Sequence, residues 1–462
     1  MKKNKKSGRI IALILAFVML APALVYPVFA DSNAVPGDSS ADTDDAPPED
    51  AKLSVDHAAA AYLYNFENDR VLFEYNSTER VYPASTVKIM TAIVIFDMFG
   101  DALDTKITVT KDMLDEVTGN RIGFSVGEVV TYEQMLYCML VNSANDAAII
   151  LAHAAAGDTA SFVTLMNDKA AWIGAYSTYY ANPTGMHNDA MITTARDTAL
   201  IAKYAYNIPG FIDITSTPKY VMEATNMSDY RNIYNRNCMI SKYYSTDYYY
   251  SRAIGINVGA TTQGGYALCG IAEDAESALT YLAVVLGADA VNIDGNEVLY
   301  NYENVIKMFD WAFTSYDYAT VLSKKKMICE LPVNLSSTLD YVTLVPEKDI
   351  TVYLPTSVDL ENDIKFSYNT YADSIDAPVE AGQAEGTITV LYGDEILGSC
   401  SLITTSSITR SEFLYFLSRV KTFVGERFFR ATVISIVILS LLYVFLKAQS
   451  REKRIRRMRG RK

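Results

Sequence analysis

The stretch from Thr86 to Met98 constrains the fold more than any other part of this 462-residue chain. Nearly every side chain in it is apolar, so the helix it forms must be buried on all sides. Such a helix belongs at the centre of a large domain. Tyr82-Pro83-Ala84-Ser85 opens it, and Lys88 is carried with it into the interior.

The surrounding segments supply a sheet and more helices. Ala58 to Leu63 and Val71 to Tyr75 read as short strands around the polar turn Glu67-Asn68-Asp69. Ile254 to Ala260, Tyr266 to Ile271 and Leu279 to Leu286 alternate with turns and read as adjacent antiparallel strands. Thr131-Tyr132-Glu133-Gln134 is a capping-box pattern, which starts a helix running to about Val141. A break at Asn142-Ser143-Ala144 precedes a helix from Asn145 to Ala156, stopped by Gly157. Val305 to Phe313 is an apolar-faced helix that closes the domain. The expected class is α/β: an antiparallel sheet flanked by helices, with a mostly helical subdomain that contributes Ser143. Ser85 is expected in the cleft between the two.

Length and composition set the rest. The chain is too long for one ordinary core, and its 50% apolar and 20% charged residues are globular in balance. The net charge is -14, with basic residues crowded at the two ends, so the folded middle is strongly acidic. Nucleic acid is excluded as a partner, because phosphates demand Lys and Arg. The 5 cysteines stand singly, with no metal-ligand spacing among them or the 3 histidines, so neither a metal nor another cofactor is expected. Cys138 and Cys269 sit in apolar runs and read as small core residues.

Both ends meet a membrane. A basic stretch from Lys2 to Arg9, an apolar run from Ile10 to Leu20 and Val28-Phe29-Ala30 make a cleavable signal peptide over 1–30. An acidic, Pro- and Ser-bearing linker follows over 31–52. The main domain is expected at 53–326, a small β-rich domain at 327–405 and a helical stalk at 406–427. Ala431 to Leu446 is an unbroken apolar run that Phe428 and Phe429 extend, giving a transmembrane helix at 428–447. The tail at 448–462 is basic and therefore cytoplasmic, which leaves the folded part outside.

Two short motifs carry chemistry. In Ser85-Thr86-Val87-Lys88 the serine and lysine are one helical turn apart, with Cβ atoms about 5–6 Å apart on one face. A serine hydroxyl becomes a nucleophile when a base removes its proton. Lysine can be that base when burial disfavours its ammonium form. Read alone, the same pattern also fits a serine cap with a snorkelling lysine. Ser143-Ala144-Asn145 lies in a break between helices, where a hydroxyl can relay protons and an amide can hold a peptide carbonyl. Alone, it also fits a helix cap.

Together, and in this order, the motifs resemble those of the D-alanyl-D-alanine carboxypeptidases among the penicillin-binding proteins. The matching stretches are Tyr82 to Ala92, Val141 to Ala148 and Asn182-Pro183-Thr184-Gly185-Met186, with Thr194 to Asp197 and Leu282 to Ala288 beside them. The resemblance covers roughly Ala58 to Tyr316, and the β module and C-terminal anchor follow in the family's order. It implies a penicillin-binding-protein-like fold and gives roles to the matched residues. Ser85 would be acylated by the penultimate D-alanine of a peptidoglycan stem peptide, and Lys88 would be its base. Ser143 would relay protons and Asn145 would bind the peptide backbone. Backbone N–H groups of Ser85 and Ala260 would form the oxyanion hole. β-Lactams would be covalent ligands.

One motif departs from the family. Where the family reads Lys-Thr-Gly on a strand, this chain reads Asn257-Val258-Gly259, followed by Ala260. The frame is intact, but the lysine and hydroxyl that hold the substrate's terminal carboxylate are missing. A lost charge-assisted contact costs about 1.5–3 kcal/mol. Three readings follow: an attenuated carboxypeptidase, a different cation brought in from nearby such as Arg252, or another substrate. The alternative outside catalysis is a peptidoglycan-binding or scaffold protein on the same fold.

Overall fold

A computed structural model describes residues 53–459 of the chain. The expected signal peptide at 1–30 and linker at 31–52 lie outside the described residues.

The centre is a five-stranded antiparallel sheet. Its order is Arg70–Tyr75, Ala60–Asn65, Leu279–Ala288, Gly265–Asp274 and Ala253–Thr261. The middle strand is almost wholly buried and mostly apolar because it is covered on both faces. Leu282, Val284 and Leu286 point into the cluster that surrounds the central helix. Tyr281, Ala283 and Val285, one residue out of step, point into the cluster built with Val305, Met308 and Phe309 of the helix Tyr300–Ser315. Ala253–Thr261 is an edge strand, paired only with Gly265–Asp274, so one row of its backbone groups is left free by the sheet.

The apolar helix spans Val87–Phe99, and every residue from Val87 to Phe96 is buried, Lys88 included. A 3₁₀ turn over Ala84–Thr86 leads into it. Helices Tyr132–Asn142, Asn145–Ala156 and Thr159–Ile173 build the helical subdomain. The Thr131 capping box is formed, with Gln134 N donating to Thr131 Oγ1 and Thr131 N donating to Gln134 Oε1. Cys138 and Cys269 are buried free thiols in the core.

The β module begins with Tyr316–Leu322, which pairs with Ile350–Pro355, and continues in a six-stranded sheet to Glu395–Thr404. Leu344, Ile388, Val390 and Leu402 fill its core. The Tyr281 and Tyr353 hydroxyls, 2.8 Å apart, join it to the larger domain. A helix Glu412–Gly425 follows, capped by Ser411, with no buried residue. Within Arg427–Glu452 of the final helix, an 18-residue stretch reaches a mean hydropathy of 2.3 and none of that stretch is buried. At 1.5 Å per residue Arg427–Glu452 is long enough for a hydrocarbon core of ~30 Å.

Candidate active site

The central helix places its two functional side chains as their spacing requires. Lys88 Nζ lies 3.2 Å from Ser85 Oγ. The lysine is 0% exposed, and no carboxylate pairs with it among the described residues. Burial alone pushes its pKa down to about 7. At neutral pH a large fraction of the amine is therefore free to accept a proton.

The amine is held from the other side by a backbone carbonyl. Lys88 Nζ donates to Thr184 O at 2.5 Å. That carbonyl is aimed by a tight turn in which Asn182 Oδ1 accepts from Thr184 N at 3.1 Å and Gly185 N at 2.9 Å. Gly185 has φ +81°, and a Cβ there would sit 2.1 Å from Ala84 O. Only glycine permits that approach. The residue before Ser85, Ala84, has φ 47°. A left-handed non-glycine residue of this kind is a strained conformation kept by its surroundings.

Ser143 ends the helix Tyr132–Asn142 in the left-handed region, at φ 57° and ψ 37°. Asn120 holds this corner, its Nδ2 donating to Asn142 O at 2.7 Å and to Ser143 O at 3.2 Å. Asn145 begins the next helix, its Nδ2 donating to Thr118 O at 2.7 Å. That bond leaves the carboxamide oxygen as the group a ligand N–H can meet. Asp146 ties down the same loop, accepting from Ile122 N at 3.0 Å and Gly123 N at 2.8 Å.

The edge strand closes the third side. Gly259 lies against Ser85, and a Cβ on it would come within 2.5 Å of Ser85 Cβ and N. Ser85, Ser143, Asn145, Val258, Gly259 and Ala260 line one cleft of about 500 Å³. Of the residues singled out in the sequence, Lys88 lies just beneath this cleft, bonded to Ser85. Asn257 is 2% exposed, does not line it, and has a buried Oδ1 without a hydrogen-bond partner. Arg252, suggested as a replacement cation, is turned elsewhere. It pairs with Asp274 at 3.4 Å and lies over the Phe313 ring.

Sequence reasoning missed three participants. The Thr184 carbonyl lies in a segment that stood out, Asn182 to Met186, but a backbone oxygen carries no signature of its own. Asn120 and Arg236 come from loops with no motif, and both line the cleft.

The chain as a whole is similar to known proteins. A D-alanyl-D-alanine carboxypeptidase family model matches residues 47–290, and a model of the penicillin-binding protein 5 C-terminal domain matches residues 316–410. D-alanyl-D-alanine carboxypeptidase DacF of Bacillus subtilis (strain 168) is 27% identical over 366 residues, covering 78% of this chain and 88% of the relative. DacB2 of Mycobacterium tuberculosis, of the same description, is 30% identical over 242 residues, covering 52% of this chain and 76% of the relative. The fold matches that of a peptidoglycan synthesis regulatory factor (PBP3) from Streptococcus pneumoniae. There the TM-score is 0.53 at 22% identity, over 77% of this chain and 100% of the other. The Streptomyces K15 DD-transpeptidase matches with TM-score 0.50 at 25% identity, over 57% of this chain and 99% of the other.

Proposed function

The chain belongs to the D-alanyl-D-alanine carboxypeptidase family, and from that premise we propose that it removes the terminal D-alanine of peptidoglycan stem peptides through an acyl-enzyme on Ser85. The observation that carries the reading is the 3.2 Å contact between Ser85 Oγ and the fully buried Lys88 Nζ.

In this reaction neutral Lys88 takes the Ser85 proton as Oγ attacks the carbonyl of the penultimate D-alanine. The N–H groups of Ser85 and Ala260 receive the developing oxyanion, a role worth roughly 10²–10³ in rate per donor. Ser143 relays the proton held by Lys88 to the departing D-alanine amine as the C–N bond breaks, which leaves Lys88 neutral again. Water then attacks the acyl-serine ester, Lys88 taking its proton and returning it to Ser85 Oγ as the ester C–O bond breaks, which releases the shortened peptide with Ser85 restored. The peptide backbone lies along the free edge of Ala253–Thr261, the usual way an extended chain meets an unpaired strand, and Asn145 holds its amide. Asn257 and Val258 lower the rate relative to a Lys-Thr-Gly cleft, and β-lactams acylate the same serine.

The final helix anchors the chain in the cell membrane, with its basic end cytoplasmic and the cleft on the wall side. The test is direct. A fluorescent penicillin should label the chain, the wild type should release D-alanine from a pentapeptide, and Ser85→Ala should abolish both. Labelling that survives Ser85→Ala removes the nucleophile assignment. Labelling without any D-alanine release favours a non-catalytic, wall-binding role.

A further inference from the structure

The cleft lacks the family's lysine and threonine, yet it does contain a cation. Arg236 lines it together with Ser85, Ser143, Asn145 and Tyr244. Its backbone is fixed at both ends. Arg236 N donates to Val141 O at 2.9 Å, in the last turn of the helix that ends at Ser143. Its carbonyl accepts from Tyr302 Oη at 3.3 Å.

The side chain is fixed as well. Nη2 donates to Asn120 Oδ1 at 3.0 Å, and the guanidinium lies 5.2 Å from the centroid of the Tyr244 ring. Tyr244 is itself placed by Asn142, whose Nδ2 donates to its hydroxyl at 3.3 Å. Asn120 is the side chain that also holds the carbonyl of Ser143. The positions of the guanidinium and of the Ser143 corner are thus both set by Asn120.

The charge state around it is unusual for this acidic chain. Arg231 is taken up by buried Glu128 at 2.6 Å, and Arg252 by Asp274 at 3.4 Å. Among the described residues no carboxylate forms an ion pair with Arg236. A guanidinium has five N–H donors in a planar fork, and Asn120 occupies one. The fork fits a carboxylate with two parallel hydrogen bonds. Arg236 is exposed at the cleft, so an incoming peptide end can reach it.

We propose that Arg236 binds the C-terminal carboxylate of the peptide substrate, the task that Asn257 and Val258 cannot perform. This rests on the carboxypeptidase reading of the Ser85 cleft. It makes Arg236 the specificity residue for a free chain end. A peptide that continues past the second D-alanine, or whose end is amidated, offers the guanidinium no charge.

The test uses the full chain in detergent, with Ser85→Ala so that binding is read without turnover. Dissociation constants are measured for N-acyl-Lys-D-Ala-D-Ala and for the same peptide ending in a carboxamide. The acid should bind about tenfold or more tightly than the amide. Arg236→Gln should remove that preference by weakening the acid alone, and Arg236→Lys should keep part of it. A preference that survives Arg236→Gln overturns the assignment. So does equal weakening of both peptides, which is the mark of a merely structural role. Should Arg236→Gln not fold, by near-ultraviolet circular dichroism, the Ser85→Ala chain alone decides: no preference for the acid overturns the proposal, and a preference screened away by salt supports it. If wild type releases no D-alanine and neither peptide binds, the carboxypeptidase reading itself has failed.

Discussion

The two walls of the cleft have fared differently. On the wall proposed for acylation, Ser85 and the Thr184 carbonyl close around the fully buried Lys88 amine. On the opposite wall Val258 lines the cleft in the motif that departs from the family's Lys-Thr-Gly, and Asn257 beside it is buried behind the wall with an unpartnered oxygen. The difference follows from what each wall does. A base must be desolvated and within hydrogen-bond reach of one atom, so few positions can supply it. A charge that recognises an anion works from any direction that faces the ligand, so it can be supplied by a different element, as proposed for Arg236.

The largest effect should come from breaking the first wall. Lys88→Met is expected to slow acylation by about 10²–10⁴-fold, the worth of a general base, read as the second-order rate of penicillin labelling. The same variant should be more stable at pH 7. The Lys88 pKa is lowered to about 7 in the folded chain, against an unfolded value near 10.4. Between those values the unfolded chain holds a proton that the folded chain does not. Wild-type stability therefore rises with pH across this window, and the penalty is complete below pH 7. Lys88→Met should remove that slope, gaining on the order of a few kcal/mol at pH 7 in denaturant melts. A gain over the wild type no larger at pH 7 than at pH 10 would contradict the buried amine.

A smaller effect tests where the walls touch. Gly259→Ala puts a methyl group within 2.5 Å of Ser85, so the edge strand or the nucleophile must shift. Acylation should fall about a hundredfold, the scale of a displacement near 1 Å. An unchanged labelling rate would mean that the strand is free to move and does not set the oxyanion geometry.

The smallest effect lies on the second wall. Asn257→Lys with Val258→Thr restores the family pattern. If Arg236 already supplies the charge, kcat/KM for D-alanine release should rise by less than tenfold. In an Arg236→Gln background the same pair should recover about one to two decades, the worth of a charge-assisted contact. A large gain in the otherwise native chain would instead mark the second wall as vacant.

The same contrast explains what could be read in the sequence. Ser85 and Lys88 were legible because helical periodicity turns a spacing of three into contact, and the apolar run from Val87 to Phe96 made burial certain. The strands from Ala253 to Ala288 were legible because each is apolar and bounded by turn residues. Arg236 was hidden because its place is decided by a long-range backbone bond to Val141. Tyr316–Leu322 was hidden for a similar reason, since its partner Ile350–Pro355 is distant in sequence. The helix Tyr300–Ser315 begins earlier than its apolar face, because Tyr and Asn in its first turn give little local signal and Tyr302 is held by packing.

The most direct test is the pH dependence of Ser85 acylation by a β-lactam, followed from pH 5 to pH 10. A base with its pKa lowered to about 7 predicts a rate that climbs through neutrality and levels off above about pH 8. A rate that keeps climbing beyond pH 9, where an ordinary lysine loses its proton, would contradict the dry Ser85–Lys88 pair.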